Sequence, residues 1–326
     1  MNYLKVHEMK LIIIRILGDS MKYISENMDF KLSNTAVSLG KFDGVHQGHR
    51  LLINRILKEK MHGFTSVVFT FSLHPMSLFS DKEIELIDTE EEKVEKLKDM
   101  GIDVLISYPF SKETANTEPE DFVRKVLIEQ LDAKIIVVGS DYRFGKQRKG
   151  DVELLRKLSD IYGYELVVYD KLRIENHIVS STLIRNEITS GNMEFVKELL
   201  GTEYTIKGEV VYGNQLGRTI GKPTVNQLVP KSKLMPPNGV YASTILIDGK
   251  YYRGITNIGY KPTVSNDKIK GVETHIFDYD GNLYGKVIEV KLHQFIRHEK
   301  KFNSVDELKE QIQLDQDEVL KYFKKK

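Results

Sequence analysis

From Thr205 to Ile296 the chain carries short runs rich in β-branched and aromatic residues: TIKGEVVYG, GVYASTILID, KYYRGITNIG, VETHIFDYD and KVIEVKLHQFI. Gly, Asn and Asp separate them, and no stretch of helical periodicity intervenes. Short strands at regular spacing with turn residues between them argue an antiparallel barrel. Ahead of Asn186 the pattern is different, because apolar runs alternate there with amphipathic segments. That alternation predicts a parallel, doubly wound sheet covered by helices. Between the two patterns, Ser190 to Gly201 reads as a short helix (Met193, Val196, Leu199, Leu200) with a glycine stop. The expected organisation is therefore an α/β domain over 1–188, a linker helix over 189–201 and a β-barrel domain over 202–326, and the two domains read as separable. A chain of 326 residues is long enough for both to bury a core.

Charge and cysteine content narrow the function. With 48 basic and 47 acidic residues nothing global favours nucleic acid or an anionic membrane, so any anion site has to be local. Cysteine is absent, which excludes disulfides, thiolate metal sites and cysteine nucleophiles, and fits a cytoplasmic enzyme. The early apolar run Leu11 to Leu17 contains Arg15 and is too short for a signal or a membrane span; it reads as a buried strand.

In the first half the chemistry concentrates after strands. Thr35 to Leu39 runs into GKFDGVHQGHR, Gly40 to Arg50, and then into Leu51, Leu52, Ile53, Ile56 and Leu57 at helical spacing. Strand, glycine loop, helix is the order of a phosphate site. Glycine admits close backbone approach, and a helix starting near Gly48 aims its unpaired N–H groups at an anion. His46 and His49 on that turn would stabilise charge on a transferring phosphoryl group. Ser66 to Phe71 predicts a second strand, ended by Ser72-Leu73-His74-Pro75. Helices are expected over Glu90–Met100 and Pro119–Gln130, and strands over Val104–Ser107, Lys134–Val138 and Tyr164–Tyr169. Since ligands bind at the carboxyl ends of such strands, the loop Gly139 to Asp151 is a second candidate. Its Arg143, Lys146, Arg148 and Lys149 suit phosphates, and Tyr142 and Phe144 suit a planar ring. In Val179-Ser180-Ser181-Thr182-Leu183-Ile184-Arg185, a serine can cap a helix toward an anion while Arg185 supplies a charged donor.

In the second half, Asp278, Asp280, Gly281 and Asn282 read as a hairpin turn rather than a metal site. Two closing helices are expected, one capped by Ser304 with Glu307 and one by Asp315 with Glu318. The Lys324 to Lys326 tail reads as a solvated helix end.

The motif G-x-F-D-G-V-H-x-G-H resembles the signature of the nucleotidylyltransferase module of bacterial bifunctional riboflavin kinase/FAD synthetases. The segments Gly139–Asp151 and S-S-T-x-I-R follow in family order, and Gly217 to Asn226 resembles the riboflavin kinase signature G-R-x-x-G-x-P-T-x-N. Asn238 to Tyr241, Asn257 to Thr263, Glu273 to Asp278 and Ile296 to Phe302 are similar to further family segments. Such members usually begin at the first strand, which makes Met9 the expected start. The resemblance implies a Rossmann-like first domain and a kinase barrel. It implies phosphorylation of riboflavin to FMN by ATP and Mg²⁺, then adenylylation of FMN to FAD with release of pyrophosphate. It places catalysis on Glu273, His46, His49 and Arg185. ATP would meet Gly40, Phe42, Asp43, Gly44, Gly48, Ser180, Ser181 and Thr182 in one module, and Gly217, Gly221, Lys222, Pro223, Thr224 and Asn226 in the other. Flavin would meet His74, Asp141, Tyr142, Phe144 and Arg297, and Mg²⁺ would be held at Thr224 and Asn226. Partners are then small molecules, with no nucleic acid and no membrane, on a monomer or weak oligomer. The rivals are a nucleotidylyltransferase for another phosphorylated substrate and a catalytically silent flavin sensor; the sensor would be favoured by substitution at His46, His49, Thr224, Asn226 or Glu273, and none is substituted.

Overall fold

The run anticipated at Leu11 to Leu17 forms strand β1, Ile13–Leu17, which turns back into β2, Met21–Ser25, with Ile14 opposite Ile24. In this computed structural model the described residues are 13–17, 21–72, 85–213, 222–260 and 270–325. The expectations for Met9, His74, Pro75, Gly217, Gly221 and Lys261 to Thr263 lie outside them.

The sheet continues through β3 (Thr35–Leu39), β4 (Thr65–Phe71), β5 (Val104–Tyr108), β6 (Ala133–Gly139) and β7 (Glu165–Tyr169). Its spatial order is β1-β2-β5-β4-β3-β6-β7. Every pairing is parallel except β1 with β2, so the doubly wound sheet has an antiparallel edge that the sequence pattern did not announce. Helix α1 (Gln47–Glu59) buries Leu52, Ile53 and Ile56 against Ala36, Val68 and Val137 on one face. The other face is covered by Phe122, Val123 and Leu127, and by Leu155 and Leu158 of a later helix. The first three belong to the predicted Pro119–Gln130 helix, which is α-helical over Pro119–Asp121 and π-helical over Phe122–Gln130. Successive side chains of a strand point to opposite faces, so burial on both sides explains why these strands read as unbroken apolar runs. From β3 the chain winds outward to β4 and β5 and then returns to place β6 on the other side of β3. The β3/β6 boundary is therefore the topological switch point, where such sheets bind ligands.

The second architecture is a closed antiparallel barrel ordered β10-β11-β14-β13-β12-β15. Its strands are β10 (Tyr204–Val211), β11 (Thr224–Leu228), β12 (Gly239–Ile247), β13 (Lys250–Tyr260), β14 (Lys270–Ile276) and β15 (Val287–Arg297). A two-stranded ribbon, β8 (Arg173–Ile174) with β9 (His177–Ile178), precedes it. Ile206, Ile245, Ile258, Val272, Val290 and Leu292 are fully buried. Ser243, Thr256 and Thr274, also fully buried, satisfy one another through hydroxyl hydrogen bonds of 2.8 and 2.9 Å. β14 and β15 are joined by the stretch 277–286, where Tyr284 N–H donates to Asn282 Oδ1, which is longer than a tight hairpin turn.

One expectation is corrected at the end of the chain. Instead of two helices, a single helix runs over Val305–Lys324, capped by the Ser304 hydroxyl accepting from Glu307 N–H. Asp315 lies inside it, 3% exposed, and caps nothing.

The chain divides into two compact units. The first comprises Met1–Ile84 and Lys93–Leu172, and the second comprises Glu85–Glu92 and Arg173–Lys326. The second unit thus includes an eight-residue excursion from the first half of the sequence. Leu86 bridges Lys233 in parallel, with Leu86 N–H donating to Ser232 O at 2.6 Å and Leu234 N–H donating to Leu86 O at 2.8 Å. Lys233, 1% exposed, donates to Glu92 Oε2 at 2.6 Å and to Ile87 O at 2.7 Å, over the ring of Tyr204. Tyr204 in turn donates its hydroxyl to Leu234 O.

Candidate active sites

In the first unit, Gly40, Phe42, Asp43, Gly44, His46, Gly48 and His49 are brought together at the carboxyl end of β3. His46 is the N-cap of α1: its Nδ1 accepts from His49 N–H at 3.2 Å, which places the first turn's unpaired donors at this loop. The rings of His46 and His49 stack with centroids 3.6 Å apart and planes 13° from parallel. Gly48 sits beneath them, and a Cβ there would come within 3.2 Å of the His46 ring. Burial pushes the His46 imidazole down to about 4, partly offset by a backbone hydrogen bond. Burial, with His46 beside it, also holds His49 well below the ordinary histidine range. Both rings are therefore neutral at pH 7, and His49 Nδ1 is shielded from solvent without a hydrogen-bond partner among the described residues. The side chain of Phe42, a residue expected to meet ATP, is fully buried in the α1 core, 5.0 Å from the His49 ring. Asp43 is buried as well.

β6 ends beside β3, so the loop after Gly139 opens at the same edge of the sheet. Asp141 pairs with Lys171 at 2.9 Å and Lys146 with Glu118 at 3.0 Å. Tyr142 stacks on Phe144 with centroids 5.6 Å apart, and burial pushes its phenol up. Phe144, 5% exposed, packs into the sheet core against Phe122, and Tyr142 packs against the same core.

The S-S-T-x-I-R segment falls in the second unit. Ser180 caps helix Ser181–Ser190 by accepting from Leu183 N–H at 3.2 Å, with Ser181 and the exposed Thr182 on its first turn. Arg185 donates to the backbone carbonyl of Glu85, at the start of the inserted segment.

On the barrel, strand alternation puts Thr224 and Asn226 on one face of β11. Asn226 lies opposite Glu273 of β14, and Glu273 lies opposite Asn257 of β13. Thr224 donates its hydroxyl to Glu273 Oε1 at 2.5 Å. A Cβ on Gly213 would lie 2.3 Å from Asn226 Nδ2, so the main chain at the start of the glycine-rich connection rests directly on that amide. His275, opposite Thr224, donates from Nδ1 to Pro223 O at 2.8 Å. Burial lowers its affinity for a proton, and the nearby Lys222 lowers it further. The same face carries Val240, Ala242 and Ile255, packed against Val319 of the terminal helix. Arg297, expected to meet flavin, has a protein partner in the barrel unit. Its guanidinium grips Asp315 of that helix in a two-point ion pair of 2.8 and 2.7 Å, so its charge is already compensated. Asn257, which opens one of the family-like segments but was given no role from the sequence, and Gln316, which belongs to no recognisable pattern, also border this face.

Thr224 and Asn226 offer neutral oxygens, and the described residues hold no cluster of three or more His, Asp or Glu suited to a metal. That donor set fits a hard cation carried largely by phosphate oxygens, as Mg²⁺ is in nucleotide sites. No described helix is long and apolar enough to cross a membrane.

Comparison with known proteins matches the FAD synthetase family over residues 29–183 and the riboflavin kinase family over residues 200–323. The bifunctional riboflavin kinase/FMN adenylyltransferase of Listeria monocytogenes is 35% identical over 90% of this chain and 93% of its own, and that of Bacillus subtilis is 36% identical over 89% and 93%. A crystal structure described as a macrolide-efflux protein from Streptococcus pneumoniae superposes with a TM-score of 0.82 at 31% identity, covering 90% of this chain and 97% of that one. With matches spanning both units, and with the histidine-capped helix in one and the Thr224–Glu273 pair in the other, this chain belongs to the bifunctional riboflavin kinase/FMN adenylyltransferase family.

Proposed function

We propose that the barrel unit phosphorylates riboflavin through Glu273 and that the sheet unit, residues 1–188 in sequence terms, adenylylates FMN through the His46–His49 turn. The observation that carries the kinase assignment is the Thr224–Glu273 hydrogen bond on the face that also presents Asn226. In this reading the Glu273 carboxylate takes the proton of the riboflavin 5′-hydroxyl as its oxygen bonds to the γ-phosphorus and ADP leaves. Mg²⁺, held by Thr224, Asn226 and phosphate oxygens, would supply charge neutralisation when bound. Because Thr224 already donates to Glu273, its lone pairs stay directed outward for that role.

Adenylylation forms a bond from an FMN phosphate oxygen to the α-phosphorus of ATP and releases pyrophosphate. The two neutral imidazoles donate N–H groups toward the developing charge, together with the N-terminal N–H groups of α1. Gly40, Gly44 and Gly48 keep the main chain close to the phosphates, Tyr142 with Asp141 near it offers flavin contacts, and His74 remains proposed for the flavin as well. Ser180, Ser181, Thr182 and Arg185 remain proposed for ATP, as do Gly217, Gly221, Lys222 and Pro223 on the barrel. The enzyme is read as cytoplasmic, as a monomer or weak oligomer, and as acting on small molecules alone.

The test is to incubate the purified protein with riboflavin, ATP and Mg²⁺ and to separate the flavins. The parent should yield FMN and then FAD. Glu273→Gln should lower FMN formation by about 10² to 10⁴ and leave FAD formation from supplied FMN intact. His46→Ala and His49→Ala should each lower FAD formation by about 10² and spare the kinase. A Glu273→Gln kinase rate within about threefold of the parent removes Glu273 from the mechanism.

A further inference from the structure

Two cations border the outer face of the barrel that carries Thr224, Asn226 and Glu273, and neighbouring residues of the terminal helix hold both. Arg297 meets Asp315, a full carboxylate buried at 3% exposure, which also accepts from Gln311 at 3.0 Å. Lys222 meets Gln316, donating to its Oε1 at 2.5 Å. That amide oxygen is the ammonium's one hydrogen-bond partner among the described residues, and no carboxylate among them lies within ion-pair distance. The two contacts differ in kind. An ion pair neutralises a charge, whereas a neutral amide fixes an ammonium in place and leaves its charge for another anion. Lys222 is two residues from Thr224, so the held ammonium sits beside the residues proposed for the nucleotide phosphates, and its field reaches His275 on the adjoining strand.

We propose that the terminal helix sorts these two cations, using Asp315 to make Arg297 a structural clamp and Gln316 to position Lys222, charged and uncompensated, for a nucleotide phosphate in the kinase site. Gln316 is a positioning residue here and touches no substrate. The inference rests on the kinase reading of the barrel.

Gln316→Glu keeps the size and the acceptor but turns the contact into an ion pair and adds a negative charge facing an incoming polyanion. Gln316→Met keeps the length and removes the acceptor. The expected result for Gln316→Glu is a rise of about tenfold in the kinase KM for ATP and in the Kd for Mg-ADP by calorimetry, with the KM for riboflavin and FAD formation from FMN unchanged. The effect should shrink as salt is raised, because screening weakens the new pair. Gln316→Met should raise the same constants by only about twofold to threefold, and Lys222→Met should raise them at least as far as Gln316→Glu. A merely structural glutamine predicts the reverse order, with Glu harmless and Met damaging, and that order overturns the proposal. So does an unchanged ATP KM in Lys222→Met. If the parent makes no FMN at all, the kinase reading has failed instead, and the calorimetric Kd values still decide whether Lys222 meets a nucleotide.

Discussion

His46 caps helix α1 and is proposed to face the reacting phosphates, and its burial has a measurable price in acid. The folded imidazole binds its proton only at about 4, while an unfolded histidine does so at about 6.5. Between those values the unfolded chain holds a proton that the folded chain does not, so acidification through this window lowers stability. At 6% exposure the full difference corresponds to about 3 kcal/mol, an upper estimate that is complete below pH 4. Asparagine is among the preferred N-caps and does not titrate. His46→Asn should therefore keep the α1 cap while weakening the loss of stability between pH 6.5 and 4 by close to one proton. Denaturant unfolding at several pH values reads this directly, and an identical acid dependence in the two proteins would refute it. His49 titrates in the same sense, so part of the slope should survive.

At the scale of elements, the terminal helix is fastened by the Arg297–Asp315 pair. Removing one partner of a buried pair leaves the other charge without compensation. With the guanidinium still about a quarter exposed, Asp315→Asn should destabilise the helix by about 1 to 3 kcal/mol, at the lower side of what breaking fully buried pairs costs. Limited proteolysis from the C-terminus should then release the helix earlier than in the parent, and unaltered protection would show that the apolar contacts around Val319 suffice. The same helix marks a boundary of what the sequence could reveal. Asp315 and Glu318 sit three apart ahead of an apolar run, the spacing of a capping box, but the side chain turned inward to an arginine eighteen residues away, which no local pattern records. The central parallel strands were legible because burial on both faces makes them continuously apolar. β2 was not, since MKYIS mixes buried and partly exposed positions near the edge of the sheet. β11 escaped for a related reason: TVNQL carries its polar residues toward the site as well as inward. At the candidate sites, the histidine turn stood out through its spacing and Thr224 and Asn226 through the family resemblance, whereas the inward packing of Phe42 and Phe144 and the pairing of Arg297 with Asp315 depend on distant residues that no local pattern records.

Across the whole molecule, the inserted segment Glu85–Glu92 changes the expectation that the two halves come apart cleanly. A fragment of residues 202–326 retains Lys233 and loses Glu92, Ile87 and the Leu86 bridge. That leaves an ammonium in a buried position without its partners, and the fragment should fold less stably than the same residues in the full chain. Within the full chain, Lys233→Met should cost about 3 to 5 kcal/mol by stranding Glu92, and Lys233→Met with Glu92→Leu should recover most of it. Equal stability of the single and double variants would mean that the pair is not coupled. The segment also joins residues more than 140 positions apart, as in Lys233 Nζ to Glu92 and to Ile87. During synthesis, residues 85–92 leave the ribosome long before their partners exist, and at a few to twenty residues per second that interval is roughly 7 to 30 s. The first unit has to close around an excursion whose destination has not yet been translated. Glu92, beside the helix start it shares with Thr89, has no Lys233 to meet until then, so the docking of a segment made early onto a surface made late cannot precede translation of the barrel's first strands.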